Sequence, residues 1–271
     1  MRLAVLSDLH LDGYPDPEEL LNAVIVSAIE GGAAGFLLAG DISGDYELTL
    51  ETLHRMDRAF DQGCFFVPGN HDIWNQNHRR LTSWDIYHRL LSYPKNLARG
   101  PFELGTGWKL VGDIGWYDYT FGSAAFTREE FDRMEYRGRV WQDRTFALWG
   151  MSPADVHRHF LAKLQRQLLS GARERRTVMV THVVPVREFT VPFRPRMWDY
   201  LNAFMGGESY GELAHRAGVD IAISGHVHFR RQVVREGTRF ICNCLGYRYQ
   251  WRSGRNPYVE IPGALTYLEL S

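Results

Sequence analysis

The stretch LAVLSDLH at residues 3–10 sets the pattern of the fold, because four apolar residues run directly into a segment that ends with Asp8 and His10. The same pattern returns in FLLAGD at residues 36–41 and in FFVPGNHD at residues 65–72. Each run is continuously apolar and is separated from the next by a helical pattern, which is typical of parallel strands covered on both faces. Ligands collect beyond the carboxyl ends of such strands, so the polar residues that end these runs are expected to meet at one edge of a sheet.

The rest of the chain extends this alternation. Apolar residues at three- and four-residue spacing predict helices at residues 17–30, 46–60 and 153–170. Predicted strands lie at residues 3–6, 36–39, 65–68, 109–113, 177–181, 220–224, 231–235, 240–245 and 265–270. The last three strands have no predicted helix between them and are expected to be antiparallel or mixed strands of a second sheet. The predicted fold class is α/β, with two mixed β-sheets packed as a sandwich and flanked by helices.

Two aromatic-rich insertions, at about 116–149 and 187–211, interrupt this pattern. The chain of 271 residues suits one large domain, and we predict a single domain over residues 1–271. Both insertions leave strand ends that face the predicted site, so they are predicted to form a cap that shapes a substrate pocket. The alternative is that their aromatic side chains pack on one another and anchor long loops.

The charge balance argues against a nucleic-acid or membrane partner. Lysine and arginine number 31 against 32 acidic residues, whereas binding to phosphate backbones usually needs a basic excess. No apolar run approaches the roughly 20 residues that span a bilayer, and no export signal is recognised. Three cysteines without a pairing pattern suit a reducing compartment. We therefore predict a cytoplasmic protein with a small-molecule partner, and leave its oligomeric state open.

Side chains of the types that bind metals follow five predicted strands. Asp8 and His10 lie two residues apart in an extended segment, so both point to one side and can bind one cation. His226 and His228 repeat this spacing, and Asp41 has two oxygens that can bridge two ions. The predicted metal ligands are Asp8, His10, Asp41, Asn70, His182, His226 and His228.

The chemistry of these ligands indicates the kind of metal. Mixed nitrogen and oxygen ligation without thiolate suits transition metals better than Ca²⁺ or a pure Mg²⁺ site. Two divalent or trivalent ions are predicted, with manganese favoured over iron, zinc or cobalt. His157 and His159 also lie two residues apart, but residues at this spacing on a helix do not face one site, so we interpret both as surface residues.

The motifs D-x-H, G-D, G-N-H-[DE], H and G-H-x-H, which run here from Asp8 to His228, resemble those of the calcineurin-like metallophosphoesterase superfamily. The resemblance implies a four-layer fold and two metal sites. The first metal would be held by Asp8, His10, Asp41 and His228. The second would be held by Asp41, Asn70, His182 and His226. The resemblance also makes His71 and Asp72 the candidate catalytic residues, with His71 touching the phosphate and Asp72 orienting it.

This resemblance implies a mechanism for the hydrolysis of a phosphoester. Two metals about 3.5–4 Å apart share a bridging water that supplies hydroxide near neutral pH, and this hydroxide attacks phosphorus in line. His71, protonated, would stabilise the departing oxygen or donate its proton, with its tautomer fixed by Asp72. A phosphodiester is favoured over a phosphomonoester as the substrate.

Departures from other branches narrow the expected function. Asp41 is followed by Ile42 to Asp45 rather than by the G-D-x-x-D-R-G stretch of protein serine/threonine phosphatases, and Asp72 replaces their glutamate. The chain more closely resembles small bacterial-type phosphoesterases. Two alternatives stay open: a nuclease of the Mre11/SbcD type, against which the lack of basic excess argues, and a non-catalytic scaffold of the same fold, against which the complete ligand set argues.

Overall fold

The computed structural model describes residues 1–170, 175–192 and 196–270. The strands are β1 (Arg2–Leu6), β2 (Gly35–Leu38), β3 (Cys64–Phe66), β4 (Phe102–Glu103), β5 (Trp108–Asp113), β6 (Glu135–Tyr136), β7 (Arg139–Val140), β8 (Arg176–Thr181), β9 (Ile221–Ser224), β10 (Arg230–Arg235), β11 (Thr238–Asn243) and β12 (Thr266–Glu269). The α-helices are α1 (Pro17–Glu30), α2 (Tyr46–Ala59), α3 (Ser83–Leu90), α4 (Arg128–Asp132), α5 (Asp143–Phe146), α6 (Pro153–Leu169), α7 (Arg196–Leu201), α8 (Ser209–Arg216) and α9 (Pro257–Ala264).

The first sheet has the strand order β12-β1-β2-β3. Strands β1, β2 and β3 are parallel, with Leu6 opposite Leu38 and Leu38 opposite Phe66. Their carboxyl ends therefore lie at one edge of the sheet. The predicted parallel strands are confirmed, with ends that differ from the prediction by one or two residues.

The second sheet has the strand order β10-β11-β9-β8-β5-β4. Its four central strands are parallel, and the edge strands β10 and β4 are antiparallel to their neighbours. Because the central strands are covered on both faces, β5, β8 and β9 are almost completely buried. The carboxyl ends of β8 and β9 form the second half of the site described below.

The prediction for the last three strands is wrong in one respect. Strands β10 and β11 belong to the second sheet, but β12 pairs antiparallel with β1 in the first. Helix α9, which was not predicted, lies between β11 and β12 and contains Pro262. The side chain of Leu268 in β12 is buried between the sheets, and Leu268 lies opposite Leu3 in the register. A local apolar pattern does not say which sheet edge a strand will join.

The core has one layer between the sheets and one on the outer face of each sheet. The inner layer is formed by apolar side chains of both sheets, among them Leu3, Val5, Leu37, Phe65, Leu110, Val178 and Ile223. Helices α1, α2 and α9 cover the first sheet, and α6, α8 and the two insertions cover the second. Fully burying one such side chain contributes about 1.5–3 kcal/mol. The predicted class, two mixed sheets flanked by helices, is confirmed.

The two insertions pack against each other beside the strand ends. The first holds α4, the β6–β7 hairpin and α5, and the second holds α7 and the start of α8; residues 193–195 lie outside the described part. Tyr136 stacks on Tyr200 with ring centroids 5.3 Å apart, and Trp141 stacks on Phe204 at 5.5 Å. These contacts agree with the expectation that the aromatic residues anchor the loops. These contacts do not test whether the insertions also contact a substrate.

His157 is also placed differently from its prediction. The predicted surface residue is buried, with 4% of its side chain and backbone exposed. Its Nδ1 lies 2.8 Å from the Trp116 carbonyl oxygen and its Nε2 lies 2.8 Å from Ser209 Oγ. His159 is exposed, as predicted. Within the described residues, no helix has the length and apolar character that crossing a bilayer requires.

Candidate metal centre

The loops that follow β1, β2, β3, β8 and β9 place their polar residues at one edge of the molecule. Backbone hydrogen bonds hold neighbouring loops in register: the Asp8 N–H donates to the Gly40 carbonyl at 2.9 Å, and the His10 N–H donates to the Asp41 carbonyl at 3.1 Å. Carboxyl ends of parallel strands from both sheets therefore meet at one place, as expected for this class of fold.

A first group of ligand atoms comes from Asp8, His10, Asp41 and His228, and these atoms all lie within 4.8 Å of one another. The His228 Nε2 is 3.5 Å from Asp8 Oδ1, and the His10 Nε2 is 3.8 Å from Asp41 Oδ2. The two imidazole nitrogens are 2.9 Å apart. Two nitrogens and two carboxylates turned toward one point form the donor set that transition metals accept.

A second group shares Asp41 with the first and adds His182 and His226. The His182 Nε2 lies 3.3 Å from Asp41 Oδ2 and 3.2 Å from His226 Nδ1. Asn70 completes this group, because its Oδ1 is 3.0 Å from the same His182 nitrogen. The structure thus brings together all seven predicted ligands, in the two overlapping groups that the family resemblance implies.

Hydrogen bonds on the outer side of three histidine rings decide which ring nitrogen faces the ligand groups. Three rings have an outer partner: His182 Nδ1 lies 2.8 Å from the Ala39 carbonyl, His226 Nε2 lies 3.0 Å from the Phe204 carbonyl, and His228 Nδ1 lies 3.0 Å from Gln250 Oε1. An acceptor at the outer nitrogen places the proton there and leaves the inner nitrogen free to coordinate. A neutral ring at these three positions therefore keeps its proton on the outer nitrogen, which is the tautomer that metal binding needs.

The charges in this cluster shift one another's pKa values. Burial raises the pKa of Asp8 and of Asp41, but the neighbouring histidines outweigh burial and hold both values below the usual range. Burial lowers the pKa of His182, but Asp41 outweighs this effect and raises it to about 10. For His226, burial and the charge of His182 lower the pKa to about 3. The cluster stabilises positive charge between its carboxylates, and a metal ion fits that environment.

The backbone at the ligands is strained. Five of the predicted ligands have positive φ angles although they are not glycine: Asp8 at 58°, His10 at 45°, Asp41 at 56°, His226 at 75° and His228 at 56°. Such conformations persist only where the surrounding structure enforces them, and they cluster at functional sites. The strained backbone therefore supports a functional role for the loops that carry these residues.

Gly40 shows how closely these loops approach each other. Its φ is +87°, and a Cβ at this position would lie 2.6 Å from both the Gly69 nitrogen and the His182 Nδ1. The space beside Gly69 is filled in the same way, because a Cβ there would lie 2.1 Å from Asp41 Oδ1. Only glycine at both positions lets the loop after β3 approach the loop after β2 so closely that Gly69 packs against Asp41.

His71 lies at the mouth of the site, partly exposed. Its ring stacks on Trp74 with centroids 3.6 Å apart, and its Nε2 is 3.9 Å from Asp41 Oδ2. Its backbone N–H donates to Asp41 Oδ1 at 2.9 Å. The ring is therefore close to the ligand groups, supported by an aromatic face, with one nitrogen toward the shared carboxylate.

Asp72 does not orient His71, which corrects the role assigned to it. Its buried carboxylate instead accepts hydrogen bonds from the backbone N–H groups of Asp41, Ile42, Ser43 and Gly69 and from the Thr49 hydroxyl. Burial and the charge of Asp41 raise the pKa of Asp72 to about 7, although these donors oppose the shift. Asp72 lies in the 3₁₀ turn His71–Ile73, and its carboxylate is directed to the backbone of the loops after β2 and β3. Its contacts fix the loop that carries Asp41.

Several residues of the site carry no motif and were not predicted. Asp143 accepts a hydrogen bond from Asn70 Nδ2 at 2.9 Å, and Gln250 holds the outer nitrogen of His228. Tyr247 stacks on His10 with ring centroids 4.3 Å apart. The only sequence feature that could have indicated these three residues is that they lie in or near aromatic-rich stretches. Asn70 and Asp143 are 73 positions apart, so their contact depends on tertiary structure.

A cavity of 560 Å³ opens over the ligands. Its walls come from the ligand loops, both insertions and the segment after β11: Asp41, Asn70, His71, Trp74, Arg139, Val140, Trp141, Gln142, Val191, Trp198, Met205, His226, Val227, His228, Tyr247, Tyr249 and Gln250. This volume suits a small molecule, and the walls beyond the ligands are mainly aromatic and aliphatic.

Comparison with known families agrees with this geometry. The family model described as calcineurin-like phosphoesterase matches residues 1–230. The match covers more than half of the chain and includes all the predicted ligands together with His71 and Asp72. Among curated proteins, none matches this sequence.

Solved structures share the fold at low sequence identity. The phosphopantetheinyl hydrolase from Mycobacterium tuberculosis aligns with a TM-score of 0.76 and 21% identity, over 98% of this chain and 95% of that one. The protein TT1561 from Thermus thermophilus aligns at 0.54 and 13% over 100% and 99%. A dimetal phosphatase from Danio rerio aligns at 0.50 and 16% over 89% and 86%. At these identities the likeness shows the fold alone.

Proposed function

The chain belongs to the calcineurin-like phosphoesterase family, and from this premise we propose that it hydrolyses a small phosphodiester with two transition-metal ions bound in the centre described above. The observation that carries the proposal is the position of Asp41, whose carboxylate belongs to both ligand groups. One bridging carboxylate between two sets of nitrogen and oxygen donors is the arrangement that a two-metal site requires.

The residues divide the metal binding between them. Asp8, His10 and His228 would hold one ion, Asn70, His182 and His226 would hold the other, and Asp41 would bridge them. Bound there, the two ions would act as Lewis acids that make a water nucleophilic near neutral pH and offset charge on the phosphoryl oxygens. The seven proposed ligands are nitrogen and oxygen donors without a thiolate, which suits manganese, iron, zinc or cobalt, and we propose manganese as the first of these.

His71 is the proposed proton donor to the leaving oxygen. It lines the cavity beside Asp41, and its stacking on Trp74 restricts the ring to one orientation. Its Nε2 lies 3.9 Å from Asp41 Oδ2, and an imidazolium at this place can donate a hydrogen bond to an oxygen that gains negative charge. Asp72 supports this step indirectly, because it fixes the backbone of the loop that carries Asp41.

The walls of the cavity support a diester with at least one sizeable organic group. Trp141 and Trp198 come from the two insertions, and Tyr249 stands at the rim with 72% of its surface exposed. Arg139 also lines the cavity and forms no ion pair with a carboxylate in the described part of the chain, so it is available to an anionic group of the substrate. The Mycobacterium tuberculosis neighbour is a phosphopantetheinyl hydrolase, and phosphopantetheinyl esters therefore belong among the candidate substrates.

The test compares wild-type protein and His71→Ala, both loaded with Mn²⁺, on bis-p-nitrophenyl phosphate, on p-nitrophenyl phosphate and on a phosphopantetheinyl ester. We expect wild type to hydrolyse the diester faster than the monoester. We expect His71→Ala to bind two metals and to hydrolyse a phosphopantetheinyl ester, whose alkoxide leaving group needs a proton, about 10²–10⁴-fold more slowly, with a smaller loss on the nitrophenyl esters.

Protein treated with a chelator provides the blank, and the exposed Asp61→Asn variant provides the matched control. Full activity of His71→Ala on the phosphopantetheinyl ester would contradict the assigned proton donor. Faster hydrolysis of the monoester would contradict the diester preference. No hydrolysis of either ester, or of a phosphopantetheinyl ester, by protein with two bound metals would contradict the proposed function.

A further inference from the structure

One buried carboxylate outside the ligand set lies against the metal centre. Asp143 is the first residue of α5 in the first insertion, and only 2% of it is exposed. Its carboxylate accepts four hydrogen bonds: from Trp74 Nε1 at 2.7 Å, Trp141 Nε1 at 2.7 Å, Asn70 Nδ2 at 2.9 Å and the Tyr117 hydroxyl at 3.2 Å. All four donors are neutral. Within the described residues, no lysine or arginine forms an ion pair with this carboxylate.

The contact with Asn70 decides which way its amide points. The ionised Asp143 carboxylate accepts only, so it can face the NH₂ group of Asn70 and not the carbonyl oxygen. The Asn70 Oδ1 is then directed to the other side, where it lies 3.0 Å from His182 Nε2 in the second ligand group. If the amide were flipped, its oxygen would face the carboxylate and its NH₂ group would face the metal. The first contact is repulsive, and the second cannot coordinate.

The same carboxylate also holds the aromatic side chains that border the site. Trp74, which shares Asp143 Oδ1 with Asn70, carries the ring of His71 at 3.6 Å. Trp141, bound to Oδ2, lies edge-on to His226 with ring centroids 5.8 Å apart. One residue of the insertion is therefore connected to a ligand of the second metal and to the neighbours of two histidines.

We propose that Asp143 is a positioning residue for the second metal, which acts through Asn70 by turning the amide oxygen toward the ion. The proposal rests on the two-metal function proposed above. It makes the first insertion part of the metal centre as well as a wall of the cavity. Asp143 does not line the cavity over the ligands and does not belong to either ligand group.

The experiment titrates metal-free wild type, Asp143→Asn and Asp132→Asn with Mn²⁺ by calorimetry, with the bound metal counted after dialysis. Asp143→Asn keeps the size of the side chain but removes the charge and replaces one acceptor oxygen with an NH₂ group, so a charged acceptor no longer holds the Asn70 amide in one orientation. We expect one Mn²⁺ to bind as in wild type and the other to bind about 10–100-fold more weakly, the usual effect of losing a partner of a metal ligand. Asp132 accepts from the Tyr119 hydroxyl in the same insertion, away from the ligands, and its variant should bind like wild type.

A double variant separates positioning from a general effect on the fold. Asn70→Ala removes the ligand itself, so Asn70→Ala combined with Asp143→Asn should bind the second Mn²⁺ no more weakly than Asn70→Ala alone. Losses that add in the double variant would overturn the proposal, because Asp143 would then act by another route. Unchanged affinity in Asp143→Asn would overturn it as well.

A measurement on wild type keeps the proposal testable if Asp143→Asn does not fold. In protein loaded with Zn²⁺, the side-chain NH₂ resonances of Asn70, assigned from their absence in Asn70→Ala, should exchange slowly with water. Rapid exchange would mean that the amide does not donate to Asp143. None of these readouts uses a substrate, so an inactive wild type that binds two metals would contradict the proposed function and leave the role of Asp143 standing.

Discussion

At the scale of single residues, the site depends on one carboxylate that serves both ligand groups. Asp41 is 1% exposed, and the ligand atoms of both groups lie around it. Asp41→Asn keeps the volume and removes the charge together with one of two oxygens that can bridge. We expect the bound manganese to fall from two ions per chain to fewer than one, with complete loss of phosphoester turnover. Metal analysis after gel filtration measures this, with Asp61→Asn as the control, and two retained ions would contradict the bridging role.

The protonation of His182 gives a second prediction at this scale. In the metal-free protein Asp41 outweighs burial and raises the pKa of His182 to about 10, so the ring carries a proton at neutral pH. A metal binds the deprotonated ring, and the deprotonated fraction falls about tenfold for each pH unit below the pKa. Metal affinity should therefore weaken as the pH falls from 9 toward 6, and binding should release protons.

Calorimetry in two buffers with different heats of ionisation counts the released protons. His182→Ala should release about one proton fewer for each equivalent of metal than wild type. Equal proton release by the two proteins would show that the proton is held elsewhere in the cluster.

At the scale of single elements, the turns after the strands are as important as the ligands that they carry. Gly40→Ala combines the strain of a left-handed residue with a Cβ placed 2.6 Å from backbone, while Gly237→Ala has nearly the same φ, +85°, with nothing within 4 Å. The control should lose about 1–2 kcal/mol of unfolding free energy from strain alone. Gly40→Ala should lose more, about 2–4 kcal/mol, and should also bind metal weakly.

Urea unfolding of the metal-free proteins measures the first quantity, and Mn²⁺ titration measures the second. Equal destabilisation of the two variants would mean that the loops after β2 and β3 can move apart without loss. In that case their close approach would not be what shapes the site.

The strands that carry the ligands could be predicted because their signals are local. Residues 3–6 are apolar in an unbroken run and end at Asp8, and β1 lies at Arg2–Leu6 in the structure. The partner of β12 could not be predicted, because its pairing with β1 joins residues more than 260 positions apart. His157 was misjudged for a similar reason, since the groups that bury it come from the loop after β5 and from α8.

The candidate site divides in the same way. Its ligands form short motifs at strand ends, so their residue types and spacing are enough to propose two metals. Asp143 and Gln250 act on those ligands from an insertion and from the segment after β11, and a side chain that works by a hydrogen bond to a distant partner leaves no pattern in the sequence. The orienting role of Asp72, which the family resemblance implies, does not match the structure, because its carboxylate accepts from the backbone of the loops after β2 and β3.

At the scale of the whole molecule, the layer between the sheets holds the two halves of the site in register. The first sheet carries Asp8 and Asp41, the second carries His182, and β12 joins the end of the described chain to β1. Leu268, 2% exposed, places the side chain of β12 in this layer. We therefore expect the positions of the candidate ligands to depend on the packing of the apolar layer between the two sheets.

Leu268→Ala tests this dependence. Truncation of a buried leucine costs about 2–5 kcal/mol, because the transfer free energy of the removed atoms is lost and a cavity remains. We expect a loss of that size in the urea unfolding free energy of the metal-free protein. The neighbouring Glu269→Ala, which removes only an exposed ion pair with Arg2, should lose less than about 1 kcal/mol.

Mn²⁺ binding then shows whether Leu268→Ala lowers only the unfolding free energy or also the metal affinity of the folded protein. If the sheets act as one cooperative frame, the folded fraction of Leu268→Ala still binds two Mn²⁺ per chain with the affinity of wild type. Added Mn²⁺ then stabilises both proteins by the same free energy, because a ligand that binds only the folded state adds RT ln(1 + [L]/Kd). A smaller stabilisation in Leu268→Ala would show that β1 shifts when its partner loosens. The register between the sheets would then itself set the distance between the two ligand groups.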